Sequence, residues 1–154
     1  MKILKSLIIT LIFFSKTTYA EGDLTKQKPI TVEVSFQTDS NNSFYYEPSE
    51  LTFKTGNLYR LKLINKTSVK HYFTSNSFSN SIFTRKVEVY SQNKKIAEIK
   101  GLIKEVEVFP YEEIEWWFVP IKTGVFNDLH CKIISKKTNL THQNMGMVGK
   151  IIIK

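Results

Sequence analysis

The sequence predicts an all-β fold, an antiparallel β-sandwich or barrel of about seven or eight strands. Three observations carry that expectation. From residue 30 almost to the end, apolar residues recur with period two, as in "ITVEVSF" (30–36), where Ile30, Val32, Val34 and Phe36 alternate with Thr31, Glu33 and Ser35. Turn-forming clusters break the chain at short intervals. No segment of the domain sustains a helical period for more than a turn or two. One-sided strands must bury their apolar face against a second sheet, and a sandwich or barrel meets that need.

In chain order, residues 1–20 read as a secretory signal. Lys2 and Lys5 precede the apolar run "SLIITLIFF" (6–14), and "TTYA" (17–20) places cleavage after Ala20. The residues between Lys5 and Lys16 are too few to cross a bilayer, and no cysteine follows them to take a lipid. The expected location is therefore the periplasm or the exterior, with no transmembrane span after cleavage. Residues 21–28 form a polar leader, expected to be flexible, and residues 29–154 form one domain. Its further strands are read at "LYRLKLI" (58–64), "RKVEVYS" (85–91), "KIAEIKG" (95–101), "IKEVEVF" (103–109), "EIEWWFV" (113–119), "GVFNDLHC" (124–131) and "GKIIIK" (149–154). Turns fall at "EPSE" (47–50), "KTGN" (54–57), "SQNKK" (91–95), "FPYEE" (109–113) and "KTGVF" (122–126). Trp116, Trp117 and Phe118 in succession predict a strand covered on both faces. Residues 67–84 lose the period yet hold Tyr72, Phe73, Phe78 and Phe83, which reads as a long packed loop.

Removing Lys2, Lys5 and Lys16, with no acid, lowers the formal net charge from +8 to +5. Arg60 and Arg85 are the only arginines, and no basic stripe interleaves with aromatics, so nucleic acid is not the expected partner. The lysines alternate with apolar residues, which puts them on wet strand faces and sheet edges, or on a docking face for an acidic partner. A single cysteine, Cys131, excludes an internal disulfide framework. The domain must stand on its core, or on a metal.

The three histidines are His71, His130 and His142. No nucleophile elbow, P-loop, H-E-x-x-H or C-x-x-C is present. The acid pairs Glu105/Glu107 and Glu113/Glu115 alternate with apolar residues and are expected to face solvent. One constellation remains: His71, Cys131, His142 and Met147. Two imidazoles, a thiolate and a thioether suit copper, whereas zinc has little use for a thioether. Each residue also has a plain reading. His71 alone is a surface or capping histidine, Cys131 a buried filler, and Met147 part of the core.

These residues resemble a known family. "HQNMGMVGKIII" (142–153) is similar to the terminal segment of the cupredoxins, where the ligand cysteine is followed by a histidine, four residues, a methionine and the last strand. "FKTGNLYRLKLINKTSVKHYFTSNSF", "FTRKVEV", "IKEVEVFPYEEIEWWFVPIKTGVF" and "GMVGKI" resemble the small exported cupredoxin-like copper proteins of bacteria, over about Glu47 to Lys154. The resemblance implies a Greek-key β-sandwich holding one type 1 copper ion on His71, Cys131, His142 and Met147. It implies no enzymatic activity. A multicopper oxidase needs many more histidines, and a dinuclear copper centre needs two cysteines. The chain departs from the family in one place. Ten residues, "KIISKKTNLT" (132–141), separate Cys131 from His142 where the family has two to four. Such a loop is expected to expose the copper or loosen His142, and it keeps His130 and Met145 open as substitute ligands. Strand direction disfavours His130, because adjacent residues point to opposite faces. "NKT" (65–67) and "NLT" (139–141) match glycosylation sequons by chance. The functional expectation is a monomeric periplasmic electron carrier cycling Cu(I)/Cu(II) between redox partners. The alternatives are a copper delivery protein using the same ligands with copper-trafficking partners, or a metal-free interaction domain.

Overall fold

A computed structural model describes residues 26–92 and 94–154. The signal segment and residues 21–25 of the leader lie outside the described residues. Within the leader, Gln27 bridges to the domain: its side chain donates to the Gly56 carbonyl (3.2 Å) and accepts from the Leu58 N–H (2.9 Å).

The domain is a sandwich of two sheets. In chain order the strands are β1 (Ile30–Thr38), β2 (Phe44–Glu47), β3 (Glu50–Phe53), β4 (Tyr59–Asn65), β5 (His71–Thr74), β6 (Ile82–Ser91), β7 (Lys94–Ile99), β8 (Glu105–Val108), β9 (Glu113–Pro120), β10 (Gly124–His130) and β11 (Val148–Ile153). A helical turn, α1 (Asn76–Ser79), follows β5. The first sheet runs β2-β1-β4-β9-β6-β7 and the second β3-β11-β10-β5-β8. The all-β sandwich is as the periodicity predicts, with two corrections. Eleven strands are present among the described residues rather than seven or eight, because β2, β3 and β5 fall where no alternating run was legible. Each is four residues long and, unlike β8 of the same length, lies in no longer alternating run of the sequence. The sheets are also mixed, since β1 runs parallel to β4 and β3 parallel to β11.

Residues 67–84 are likewise more ordered than a loop. Phe73 on β5 and Phe78 on α1 are fully buried, and Ser75 caps the turn by accepting from the Phe78 N–H (3.2 Å). Asp128 of β10 ties this turn down by accepting from the Ser75 hydroxyl (2.5 Å) and the Ser77 N–H (2.8 Å). Asp128→Ala is therefore expected to cost about 1–2 kcal/mol in urea unfolding. An unchanged midpoint would show that these bonds are replaced by water at no cost.

The core is largely aromatic. Phe78 packs edge-on against Trp116 and Phe118, at 5.7 and 5.1 Å, and Phe53 stacks on Phe78 at 5.7 Å. On β9, one of the two middle strands of the first sheet, Trp116 and Phe118 point into this core. Trp117 lies on the opposite face between the Arg60 guanidinium (5.6 Å) and the Lys86 ammonium (4.6 Å). The strand is covered on both faces, but its outer cover is charged side-chain stems rather than another layer. Glu115 corrects the expectation of a solvent-facing acid. It is buried on that outer face, accepting from the Trp117 indole (3.2 Å) with Arg60 3.8 Å away.

Candidate metal centre

Three neighbouring strands bring the candidate ligands to one end of the sandwich. β5, β10 and β11 lie side by side and antiparallel, with His130 paired to Thr74 and to Val148, so β5 starts just past the end of β10, at the same end of the sandwich as the start of β11. His71 opens β5, Cys131 follows β10, and Met147 directly precedes β11. Close approach at this end requires glycine at 149, where a Cβ would meet Leu129 Cδ2 and the Ser49 carbonyl at 2.7 Å each.

The ligand atoms of His71, Cys131 and His142 all lie within 4.8 Å of one another. The two Nδ1 atoms are 3.0 Å apart, and Cys131 Sγ is 3.6 Å from His142 Nδ1 and 3.9 Å from His71 Nδ1. Met147 is fully buried with them. Its carbonyl accepts from the Cys131 N–H (3.2 Å) and its N–H donates to the His142 carbonyl (2.9 Å). His130 stands outside the cluster, with Nδ1 donating to the Asp128 carbonyl (2.8 Å). The Met145 sulfur is engaged by the Thr138 hydroxyl (3.5 Å).

The ten-residue segment does not open the site. The N–H of Gln143 donates to the Cys131 carbonyl (2.9 Å) and that of His142 to the Ile133 carbonyl (2.7 Å). Ile134 bridges Thr141, and the Ser135 N–H donates to the Leu140 carbonyl (2.8 Å). The segment is thus a laddered hairpin whose base holds Cys131 and His142 together. His142 is 2% exposed, against the expectation of an exposed or loosened ligand.

Three groups around the cluster were not legible as site residues. The Tyr72 N–H donates to Cys131 Sγ (3.3 Å). Phe44 of β2 packs over both imidazoles, its ring centroid 4.8 Å from His71 and 4.3 Å from His142. Thr67 Oγ1 lies 2.8 Å from His71 Nε2. The hydroxyl has one proton, directed to Asn65 Oδ1 or the Val69 carbonyl, both at 2.9 Å and both acceptors. Its oxygen must therefore accept from His71 Nε2–H, which leaves His71 Nδ1 bare and turned toward Cys131 and His142. An outer hydrogen bond of this kind fixes the tautomer of a metal-binding histidine. "NKT" matches a sequon, so its buried role was hidden, and Phe44 lies far from any ligand in sequence.

Electrostatics agree. Burial, with His142 beside it, lowers the pKa of His71 to about 3, and burial also lowers that of His142. Burial raises the Cys131 thiol, an effect the Tyr72 N–H partly opposes. The imidazoles are thus neutral and ready to ligate, while the thiol must give up a proton. Two imidazole nitrogens and a soft sulfur converging in a closed space, with buried Met147 tied by its backbone to Cys131 and His142, fit a copper ion. Below the raised thiol pKa, apparent Cu(I) affinity should rise about tenfold per pH unit, one proton leaving per metal bound. The imidazoles add no further slope until the pH falls through their lowered range. Anaerobic competition titrations from about pH 6 to 8 check this, and a flat profile would remove Cys131 from the ligand set.

No family model matches the sequence, and no curated protein matches it. Solved structures do match in fold. A multicopper oxidase from Campylobacter jejuni superposes with a TM-score of 0.57 at 19% identity, covering 83% of this chain and 31% of the oxidase. A copper nitrite reductase from Nitrosomonas europaea gives 0.55 at 10% identity, over 82% and 48%. Auracyanin A, a "blue" copper protein from Chloroflexus aurantiacus, gives 0.49 at 16% identity, over 82% and 100%. The chain thus spans about a third of the oxidase and about half of the reductase. It has the cupredoxin fold, and His71, Cys131 and His142, with Met147, form a candidate type 1 copper site.

Proposed function

We propose that the protein is an exported, monomeric one-electron carrier working in the periplasm between larger redox partners, and that it is not itself an enzyme. The observation that carries this reading is the closed cluster of His71 and Cys131, at the ends of two adjacent strands, with His142 at the base of the hairpin that follows. Solved structures of the same fold include a multicopper oxidase and a copper nitrite reductase by name, in keeping with that metal. Copper bound here supplies a one-electron Cu(I)/Cu(II) couple. The chain's own residues supply the setting. Thr67 and the strand ends hold the donors in place, so little protein rearrangement accompanies a change of charge. Phe44 and the surrounding core keep water from the imidazoles. Copper delivery would use the same ligands but needs the donors to come within a partner's reach. Their burial, and the hydrogen-bond ladder that holds Cys131 and His142 together, favour the carrier instead.

An optical spectrum of the mature protein with Cu(II), followed by voltammetry, tests the reading. The expected result is an intense band near roughly 600 nm, from Cu(II)–thiolate bonding, with reversible one-electron exchange. Tight Cu(I) binding without that band would point to delivery. A colourless protein holding Zn(II) would sink the carrier reading.

A further inference from the structure

The hairpin over residues 132–141 is longer than its task of joining two ligands requires. Its base rungs, Cys131 with Gln143 and Ile133 with His142, already fix the ligand spacing. Beyond them the hairpin continues through Ile134–Thr141 and Ser135–Leu140 to a tip at Lys136–Asn139, where Asn139 takes the left-handed turn conformation (φ 57°). Residues paired across such a ladder share a face, and neighbours along the strand alternate. Ile134 and Leu140 therefore point to opposite faces of the hairpin. Both are exposed, at 59% and 48%. Solvent thus reaches both faces, while Ile133 packs on the core and Thr138 touches the Met145 sulfur (3.5 Å), so the hairpin is a finger laid along the metal end with an exposed tip.

Its charge is one-sided. From residue 129 to Lys154 the sequence has five lysines and no acid. Lys132 is paired with Glu105 (2.7 Å) and Lys150 with Glu50 (2.5 Å). At the tip, Lys136 and Lys137 are exposed, and their side chains form no ion pair with any described residue. The hairpin thus carries two unpaired cations at its end, an exposed aliphatic side chain on each flank, and two candidate ligands at its root.

We propose that this finger seats in a protein partner presenting acidic side chains around a shallow apolar cleft, and so draws that partner to the metal end of the sandwich. Charge complementarity favours an acidic surface, which speeds encounter and fixes orientation. A protein cleft fits better than a lipid surface. The finger carries no aromatic residue, and its exposed aliphatic side chains, Ile134 and Leu140 on opposite faces, form no continuous face to lie in a membrane. The purpose of the docking rests on the carrier reading, since a partner gains from this position only if something passes at the site. Its test does not, because it uses metal-free protein.

The probe is a short synthetic peptide alternating glutamate and leucine, titrated into nitrogen-15-labelled protein while amide resonances are followed. The expected result is shifts concentrated in residues 132–141. Affinity should fall roughly tenfold in the Lys136→Glu/Lys137→Glu double variant, and on raising salt from about 20 to about 300 mM. Lys136→Gln/Lys137→Gln should show a smaller loss in the same direction, which guards against a charge-reversal artefact at the tip. Lys54→Glu/Lys122→Glu, at the opposite end of the sandwich, should leave the affinity unchanged. Shifts dispersed over other lysines, or equal weakening by the two distant substitutions, would overturn the proposal. So would tip-dependent sedimentation with vesicles of roughly one-quarter anionic phospholipid, which would assign the finger to a membrane. Absence of the blue band with the peptide shifts intact would remove the carrier reading and leave the docking finger standing.

Discussion

Cys131→Ser is expected to abolish the intense band near roughly 600 nm altogether, because that absorption needs a thiolate bonded to Cu(II). The substitution keeps the site's shape. Serine offers an oxygen to the Tyr72 N–H that now reaches Cys131 Sγ at 3.3 Å. The cost to the metal-free fold is accordingly small, about 1–2 kcal/mol for a slightly smaller and more polar buried group. The large effect lies in the loaded protein. A metal present at about a thousand times its dissociation constant stabilises a fold by about 4 kcal/mol, and losing the thiolate removes most of that gain. Melting the two proteins with and without copper, alongside metal analysis, separates the terms. If copper content and the copper-dependent rise in Tm were the same in both, Cys131 would be a core filler and the domain's role would lie elsewhere.

The second large effect belongs to a residue that touches no metal. Asn65→Ala removes a buried side chain that donates to the Val69 carbonyl (2.8 Å) and the Val108 carbonyl (3.0 Å). The same side chain accepts from the N–H and hydroxyl of Thr67, both at 2.9 Å. Several buried polar groups are orphaned at once, for a loss of about 3 kcal/mol in unfolding free energy. Thr67→Val isolates the part that concerns His71. It keeps the volume but removes the oxygen that receives His71 Nε2–H. Copper affinity should fall about ten- to a hundredfold while the metal-free fold loses less than in Asn65→Ala. If Thr67→Val bound copper as the parent does, the orientation of His71 would have to come from packing alone.

The parts of this molecule that follow a regular period were readable in the sequence, and those held by contacts between distant residues were not. β1 and β4 alternate clearly, because each has one face on the core. β2, β3 and β5 are four-residue pieces that exist because neighbouring strands offer them hydrogen bonds, so local alternation never reveals them. The chemistry of His71, Cys131 and His142 could be read because few residue types bind soft metals, and the structure brings those three side chains together. The tautomer of His71 could not, since it depends on a proton that Thr67 directs to Asn65 or Val69. The segment after Cys131 misled for a related reason. Ten residues suggest slack, yet "KIISKKTNLT" folds back on itself, and its length says nothing about the separation of its ends.

Phe44 bears on time rather than on strength. Its partly buried ring rests on both imidazoles, while the candidate ligands beneath it are buried. It sits on β2, a four-residue strand at the margin of its sheet, of the kind that opens locally more readily than a central strand. An ion approaching from that side meets the ring before it meets a nitrogen. Filling and emptying of the pocket are then paced by the fraying of a margin strand, whereas affinity is set by donors that do not move. Two copies of this chain differing only at position 44 would reach the same final occupancy on different clocks.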